Sequence, residues 1–303
     1  MLTNRRGSAK MNRICLNVLI GIPASGKTTY CAQIERAASD QLHVVHVCYD
    51  TYVPIDTQYH QFRDEAGSYK QHRQQLLSSV EAIIVSIRDN NHDSLERLLE
   101  DWVREFKEPL KLPRPLFSKD YLFLIDDNMY YRSMRMEWIQ VARRQSLGFF
   151  ETFFDVPLEL ALQRNQSRER SVPEATIRRM WMRLEKPCSE LYGWEKNSIS
   201  INGTPEDFNE ILPMVSHCLE NPERMVNVPC TPMEQSVIHQ IDLLLRKAIS
   251  ERMAKAKNSM PKSDLRTFAS VLQDRKLELL QRLRNGDEEI AEDRIQFVAN
   301  ALL

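Results

Sequence analysis

An α/β fold is predicted: a five-stranded parallel sheet with a helical insertion, followed by a small all-α domain. Three observations predict it. Apolar, β-branched runs alternate with helical patterns over the first two-thirds of the 303 residues, which implies parallel strands covered by helices on both faces. Residues 21–28 read Gly21-Ile22-Pro23-Ala24-Ser25-Gly26-Lys27-Thr28, a complete G-x-x-x-x-G-K-[ST] loop between a strand-like and a helix-like run. Beyond Pro222, Pro229 and Pro232 the pattern turns wholly helical.

The elements follow in order. Residues 14–20 are a continuous apolar run, the mark of a strand buried on both faces. The loop after it must curl so that successive N–H groups face one phosphate cluster, and glycine permits the angles required. Lys27 brings positive charge to the β- and γ-phosphates of a nucleoside triphosphate, ATP or GTP, and the Thr28 hydroxyl can ligate Mg²⁺. Gly21 through Thr29 form the expected ATP-binding set, opening a helix over 28–38. A second strand over 42–48 runs into Tyr49-Asp50. Residues 57–119 read as a mostly helical insertion, with helix expected over 69–88 and a proline-rich exit at Pro109, Pro113 and Pro115. A third strand over 121–125 ends in Asp126-Asp127, helix follows over 133–145, and a fourth strand over 149–154. A helix begun at Pro157, another over 173–184 and a short strand over 198–201 complete a P-loop kinase-like domain spanning 14–220. Residues 221–234 read as a linker with the boundary near 225. Residues 235–303 read as two or three amphipathic helices, over 234–257, 263–284 and 287–303. Their apolar faces carry Leu243, Leu244, Ile249, Leu272, Leu279, Leu280 and Leu283.

Charged residues at 27%, hydrophobic residues at 42% and a net charge of −1 are ordinary for a soluble protein. Nothing global announces nucleic acid or membrane. The balance is uneven, however: residues 236–284 hold 11 Lys/Arg against 5 Asp/Glu, a local charge of +6. A solvated helical surface and a surface for an anionic polymer both fit this. The six cysteines show neither C-x-x-C nor zinc spacing and suit small core residues in a reducing compartment. No run has bilayer length and no secretory h-region opens the chain. Arg5, Arg6, Lys10 and Arg13 precede the first strand without an acid, which reads as a disordered tail rather than an organelle address. Cytoplasm, with no membrane association, is the expected location.

Phosphoryl transfer needs a carboxylate near Mg²⁺, a base for the nucleophile and positive charge on the migrating group. Asp126, at the end of an apolar strand, is the first choice for the metal together with Thr28, with Asp127 close behind. Exposed turn aspartates are the bland alternative. Asp50 is expected to face the γ-phosphate from a strand beside the first, where it can take the proton of an attacking hydroxyl. A capping Asp is its alternative. Arg164 and Arg168, four apart, fall on one helical face and suit a lid closing over the triphosphate; exposed helix arginines are common. Tyr130, Tyr131, Arg132 and Arg135 suit base stacking or phosphate contact, or ordinary packing.

Taken together, the phosphate loop, the Asp-terminated second strand, Asp126-Asp127-Asn128-Met129-Tyr130-Tyr131-Arg132-Ser133-Met134-Arg135, Arg164–Arg168 and Leu184-Glu185-Lys186-Pro187 resemble the O-phosphoseryl-tRNA(Sec) kinase family in its animal form. The resemblance spans roughly residues 14–202. It implies transfer of the ATP γ-phosphate, with Mg²⁺, to the serine of seryl-tRNA(Sec). By the same resemblance Lys27 and Thr28 handle phosphate and metal, Asp50 activates the serine, and Arg164 and Arg168 form the lid pair. A C-terminal domain that reads tRNA is also implied, which the basic helices fit in kind. Archaeal members carry an arginine shortly after the second-strand aspartate. Here Thr51-Tyr52-Val53 follow Asp50, and the next arginine is Arg63. Two competing readings stay open. One is a regulatory tRNA-binding ATPase like the Elongator-associated protein. The other is a nucleoside or metabolite kinase with no RNA partner, in which the C-terminal helices would serve a homodimer.

Overall fold

The computed structural model describes residues 12–38, 42–53, 66–114, 116, 119–169, 171–202, 211–225, 237–257 and 260–285. The expected helix over 287–303, Pro229 and Pro232 of the linker, Leu283's side chain, Arg63, and Arg5, Arg6 and Lys10 lie outside them.

The strands are β1 (Ile14–Ile20), β2 (Leu42–Cys48), β3 (Asp120–Asp126), β4 (Gly148–Phe154) and β5 (Ser198–Ile201). All pairings are parallel, in the order β2-β3-β1-β4-β5. This corrects one expectation: β2 does not lie beside β1, because β3 inserts between them. Every residue of β1 and β4 is buried, as a sheet covered on both faces requires. The polar Asn17 is tolerated at the centre because it donates to Tyr30 Oη at 2.7 Å and accepts from Thr152 Oγ1 at 2.9 Å.

The helices are α1 (Lys27–Ala38), α2 (Tyr49–Tyr52), α3 (Ala66–Arg88), α4 (His92–Phe106), α5 (Arg132–Gln145), α6 (Leu158–Gln166), α7 (Glu174–Arg183), α8 (Ile211–Glu220), α9 (Val237–Ala256) and α10 (Lys262–Asn285). The helix α4 starts where the Asn91 side chain accepts from Ser94 N at 3.0 Å, and it stops at left-handed Lys107. At Gly148, α8 comes so close that a Cβ would sit 2.9 Å from the Cys218 backbone. Only glycine fits there.

The chain divides into two compact units: Met1–Val172 with Glu185–Val228, and Pro173–Leu184 with Pro229–Leu303. The first holds the sheet, with α3 and α4 between β2 and β3 as the insertion. The second holds α9, α10 and also α7, whose sequence pattern had grouped it with the sheet. Ile241, Leu245, Ala248, Ile249, Leu272, Leu279 and Leu280 form its core, with Leu244 packed against them. Leu243, expected on that face, is 41% exposed instead.

A buried carboxylate organises the same unit. Asp242 accepts from Arg183 Nη2 at 2.8 Å and Lys276 Nζ at 3.2 Å, and pairs with Arg246 at 2.7 Å. Burial and the neighbouring Arg183 pull the Lys276 ammonium down to about 8. Arg246 and Lys276, both within the basic 236–284 stretch, therefore serve the core. Lys247, Lys255, Arg275 and Arg282 are exposed. Among the described residues no helix is long and apolar enough to cross a membrane.

Candidate active site

The phosphate loop leaves β1 at Gly21, whose N–H donates to Asn128 O at 3.0 Å. It turns through Ala24 at φ 64° and Gly26 at φ 104° before entering α1. The second of these angles is one glycine adopts without steric cost. Lys27 is 8% exposed. Its ammonium donates to Gly21 O at 3.0 Å, Ile22 O at 2.9 Å and Asn128 Oδ1 at 3.2 Å. Burial pulls it below the ordinary lysine range, against the charges of Asp126 and Asp50. The loop thus wraps its own cation, held by acceptors that a phosphate oxygen can replace.

The end of β3 supplies the acids. Asp126 and Asp127 are 4% and 8% exposed, so neither is a surface turn residue. Thr28 Oγ1 donates to Asp126 Oδ2 at 2.9 Å, and His46 Nε2 lies 3.0 Å from the same oxygen. Burial alone would raise the Asp126 carboxyl; the His46 hydrogen bond and the Lys27 charge outweigh it and hold Asp126 below the carboxylate range. Burial likewise opposes protonation of His46, but its bonds to Asp126, Cys31 and Cys48 push it up to about 12. Each partner thereby favours the charged form of the other. Asp127 is taken by Arg73 of α3, whose guanidinium also lies 4.8 Å from the Tyr49 ring centroid. The insertion therefore places an arginine at the end of β3, although none stands within a few residues of Asp50 in sequence.

Asp50 sits exposed in the first turn of α2. It reaches the loop even though β2 is an edge strand, because β3 ends level with it: Cys48 pairs with Asp126 in register. Asp50, Lys27, Thr28, Asp126 and Arg168 border one cleft. An adjoining cleft of about 390 Å³ is bordered by Thr29, Tyr30, Phe154, Arg164, Arg168 and Ile201. Arg164 Nη1 donates to Ser25 O at 3.4 Å. Arg164 and Arg168 do not share a helical face: α6 ends at Gln166, and Arg168 lies beyond its cap. They still converge on the loop. Asn165 between them is buried and fastens the segment, accepting from Val172 N at 2.9 Å and donating to Val172 O at 2.8 Å.

Comparison with known proteins gives this geometry a family. A profile described as an AAA domain matches residues 16–187, and another described as chromatin associated protein KTI12 matches residues 111–290. The L-seryl-tRNA(Sec) kinase of Mus musculus is 31% identical over 95% of this chain and 88% of its own. The chain belongs to the L-seryl-tRNA(Sec) kinase family. The kinase of that name from Homo sapiens is 31% identical over 84% of this chain and 82% of its own. The one from Methanococcus maripaludis is 21% identical over 84% of this chain and 86% of its own.

In this member of the L-seryl-tRNA(Sec) kinase family, two of the stretches that carry the resemblance meet in a buried ionic network. Arg135 and Glu195 have side chains 0% exposed. Arg135 donates to Glu195 Oε1 at 2.6 Å, Glu151 Oε1 at 3.1 Å and Met129 O at 3.1 Å. Arg132 donates to the same Glu195 oxygen at 2.9 Å and to Lys186 O at 2.8 Å, while its N–H donates to Glu185 Oε2 at 2.6 Å. Burial pushes the Glu151 carboxyl up to about 7, against Arg135 and with Glu195. Neither arginine is free to grip phosphate; they are spent holding 129–135 against 185–195. Tyr130 and Tyr131 pack on each other, with centroids 4.4 Å apart. Sequence patterns gave no role to His46, Arg73 or Glu195, and Asn128 stood only inside the family stretch. For His46, a polar residue inside an otherwise apolar strand was the available signal.

Proposed function

We propose that this chain transfers the γ-phosphate of ATP to the serine hydroxyl of seryl-tRNA(Sec), yielding O-phosphoseryl-tRNA(Sec) for selenocysteine synthesis. The observation that carries this is the 31% identity to the mouse L-seryl-tRNA(Sec) kinase over 95% of the chain. The site's chemistry supports it. Loop N–H groups cradle the triphosphate, and Lys27 exchanges its carbonyl partners for phosphate oxygens. Thr28 and Asp126 would hold Mg²⁺: their hard oxygen donors already adjoin at 2.9 Å, and Asp126 is ionised. The ion, when bound, neutralises charge on the phosphates. Asp50, on the open side of the same cleft, accepts the serine proton and holds the hydroxyl in line. Arg164 and Arg168 neutralise charge that develops on the phosphoryl group.

A serine on a tRNA end is a small nucleophile on a large polyanion. Selection among tRNAs then requires surface that reads phosphates and 2′-hydroxyls. The exposed Lys247, Lys255, Arg275 and Arg282 of α9 and α10 supply it. The five described cysteines, all free thiols, fit a cytoplasmic enzyme.

The test is incubation with γ-labelled ATP, Mg²⁺ and either seryl-tRNA(Sec) or seryl-tRNA(Ser). Label is expected on serine of the first alone, and lost in Asp50→Ala. The second reading is a tRNA-binding ATPase without aminoacyl kinase activity. RNA-stimulated ATP hydrolysis without labelled serine would establish that instead.

A further inference from the structure

Three elements bring a mixed set of donor atoms together behind the metal carboxylate. Cys31 lies one turn into α1 beyond Thr28, His46 lies on β2, and Asp126 ends β3. One ligand atom from each, Cys31 Sγ, His46 Nε2 and an Asp126 oxygen, lies within 4.8 Å of the other two. Cys31 is wholly buried and the His46 side chain is 20% exposed. Tetrahedral zinc with bonds of about 2.0–2.3 Å needs its ligand atoms about 3.4–3.6 Å apart. His46 Nε2 and Asp126 Oδ2 already stand at 3.0 Å, so an ion between them requires a small spreading of that pair, with the thiol sulfur inside 4.8 Å of both.

We propose that Cys31, His46 and Asp126 form an inhibitory site for a soft divalent cation, Zn²⁺ being the fitting ion, that competes with Mg²⁺ through their shared carboxylate. The donor set decides the class of ion. Thiolate and imidazole favour zinc over magnesium, whereas Thr28 and Asp126 together present only oxygen. Binding releases the thiol and imidazolium protons to solvent. The Asp126 oxygen that accepts from Thr28 is the one nearest His46, so zinc held there withdraws the carboxylate from Thr28. Asp126 borders the cleft at the phosphate loop, which gives the ion its way in. The functional consequence rests on the proposed kinase activity; occupancy of the site does not.

The test therefore has a spectroscopic arm and a kinetic arm, both on the full-length protein. Co²⁺ titrated into the metal-free wild type should give a thiolate charge-transfer band in the near ultraviolet, bleached by Zn²⁺. The band should vanish in Cys31→Ser, weaken in His46→Gln and persist in Cys48→Ser. In the phosphoryl-transfer assay, Zn²⁺ should inhibit the wild type and added Mg²⁺ should relieve it. In Cys31→Ser the half-inhibiting Zn²⁺ concentration should rise beyond the ~10–100-fold that altering an outer partner of a metal site costs. A folded wild type without a thiolate band overturns the site, as does a band that survives Cys31→Ser. Should the cysteine variant fail to fold, an unaltered band in His46→Gln overturns it equally. An intact band in a protein that labels no serine would refute the kinase and leave the metal site standing.

Discussion

Glu195→Ala tests whether the buried network under the family stretches holds the catalytic unit together. The Glu195 side chain is 0% exposed, and its Oε1 accepts from Arg132 Nε at 2.9 Å and Arg135 Nη2 at 2.6 Å. Its other oxygen accepts from Cys188 N at 2.7 Å. Truncation leaves two buried guanidiniums and a backbone N–H short of an acceptor. Breaking a buried ion pair from one side costs ~3–5 kcal/mol, because the surviving charge stays desolvated. In a unit of this size each kcal/mol moves Tm by ~2–4 °C, so the fall should be roughly 6–20 °C. Circular-dichroism melts at pH 7 read it directly. Glu174→Ala is the matched control: its i,i+4 pair with Arg178 is 57% and 50% exposed, and such pairs contribute about 0.5 kcal/mol or less. Activity should fall too, even where the variant is folded. Arg135 also donates to Met129 O, one residue from the Asn128 that holds Lys27. A Glu195→Ala melt within ~2 °C of the Glu174→Ala control would refute the reasoning.

Further outcomes are expected. Glu151 binds its proton up to about 7 in the fold against an ordinary 4.5, so the folded state holds the extra proton. Stability should fall as pH rises from 4.5 to about 7, by about 3 kcal/mol, and urea melts of Glu151→Gln should lack that slope. Arg168→Ala should lower kcat by ~10²–10³ while sparing nucleotide affinity, measured by calorimetry with ADP. Arg164→Ala should weaken both, since it also touches the loop at Ser25 O. Reversing charge at Lys247, Lys255, Arg275 and Arg282 should weaken tRNA binding and reduce the salt slope by ~1 for each phosphate left without its cation. Arg246 must be left alone in that experiment, because it partners buried Asp242.

The strands and the phosphate loop were legible because each is written in local spacing. Apolar runs located β1, β2 and β5 to the residue, and the loop's glycines and Lys27 announce their own backbone geometry. The site was legible only in part. The apolar strand that Asp126 ends pointed to it as a metal candidate, yet its partner His46 stands 80 positions away in sequence. Asp127 looked like a second metal candidate until Arg73, 54 positions away, proved to own it. The Arg164 and Arg168 spacing suggested a shared helical face that α6 does not provide, because the helix stops two residues short of Arg168.

Sequence alone therefore determined what depends on near neighbours: the phosphate loop, the alternation of strands and helices, and the helices over Val237–Ala256 and Lys262–Asn285. Tertiary structure decided what depends on strand order. Placing β3 between β1 and β2 sets Asp126 against Thr28 on one side and His46 on the other. The same packing turns Arg132 and Arg135 inward to Glu195 and brings Arg183 and Lys276 to Asp242, because a buried carboxylate must be paired and the nearest cations in space supply the charge. Which cations those are is a property of the topology, and no local spacing encodes it.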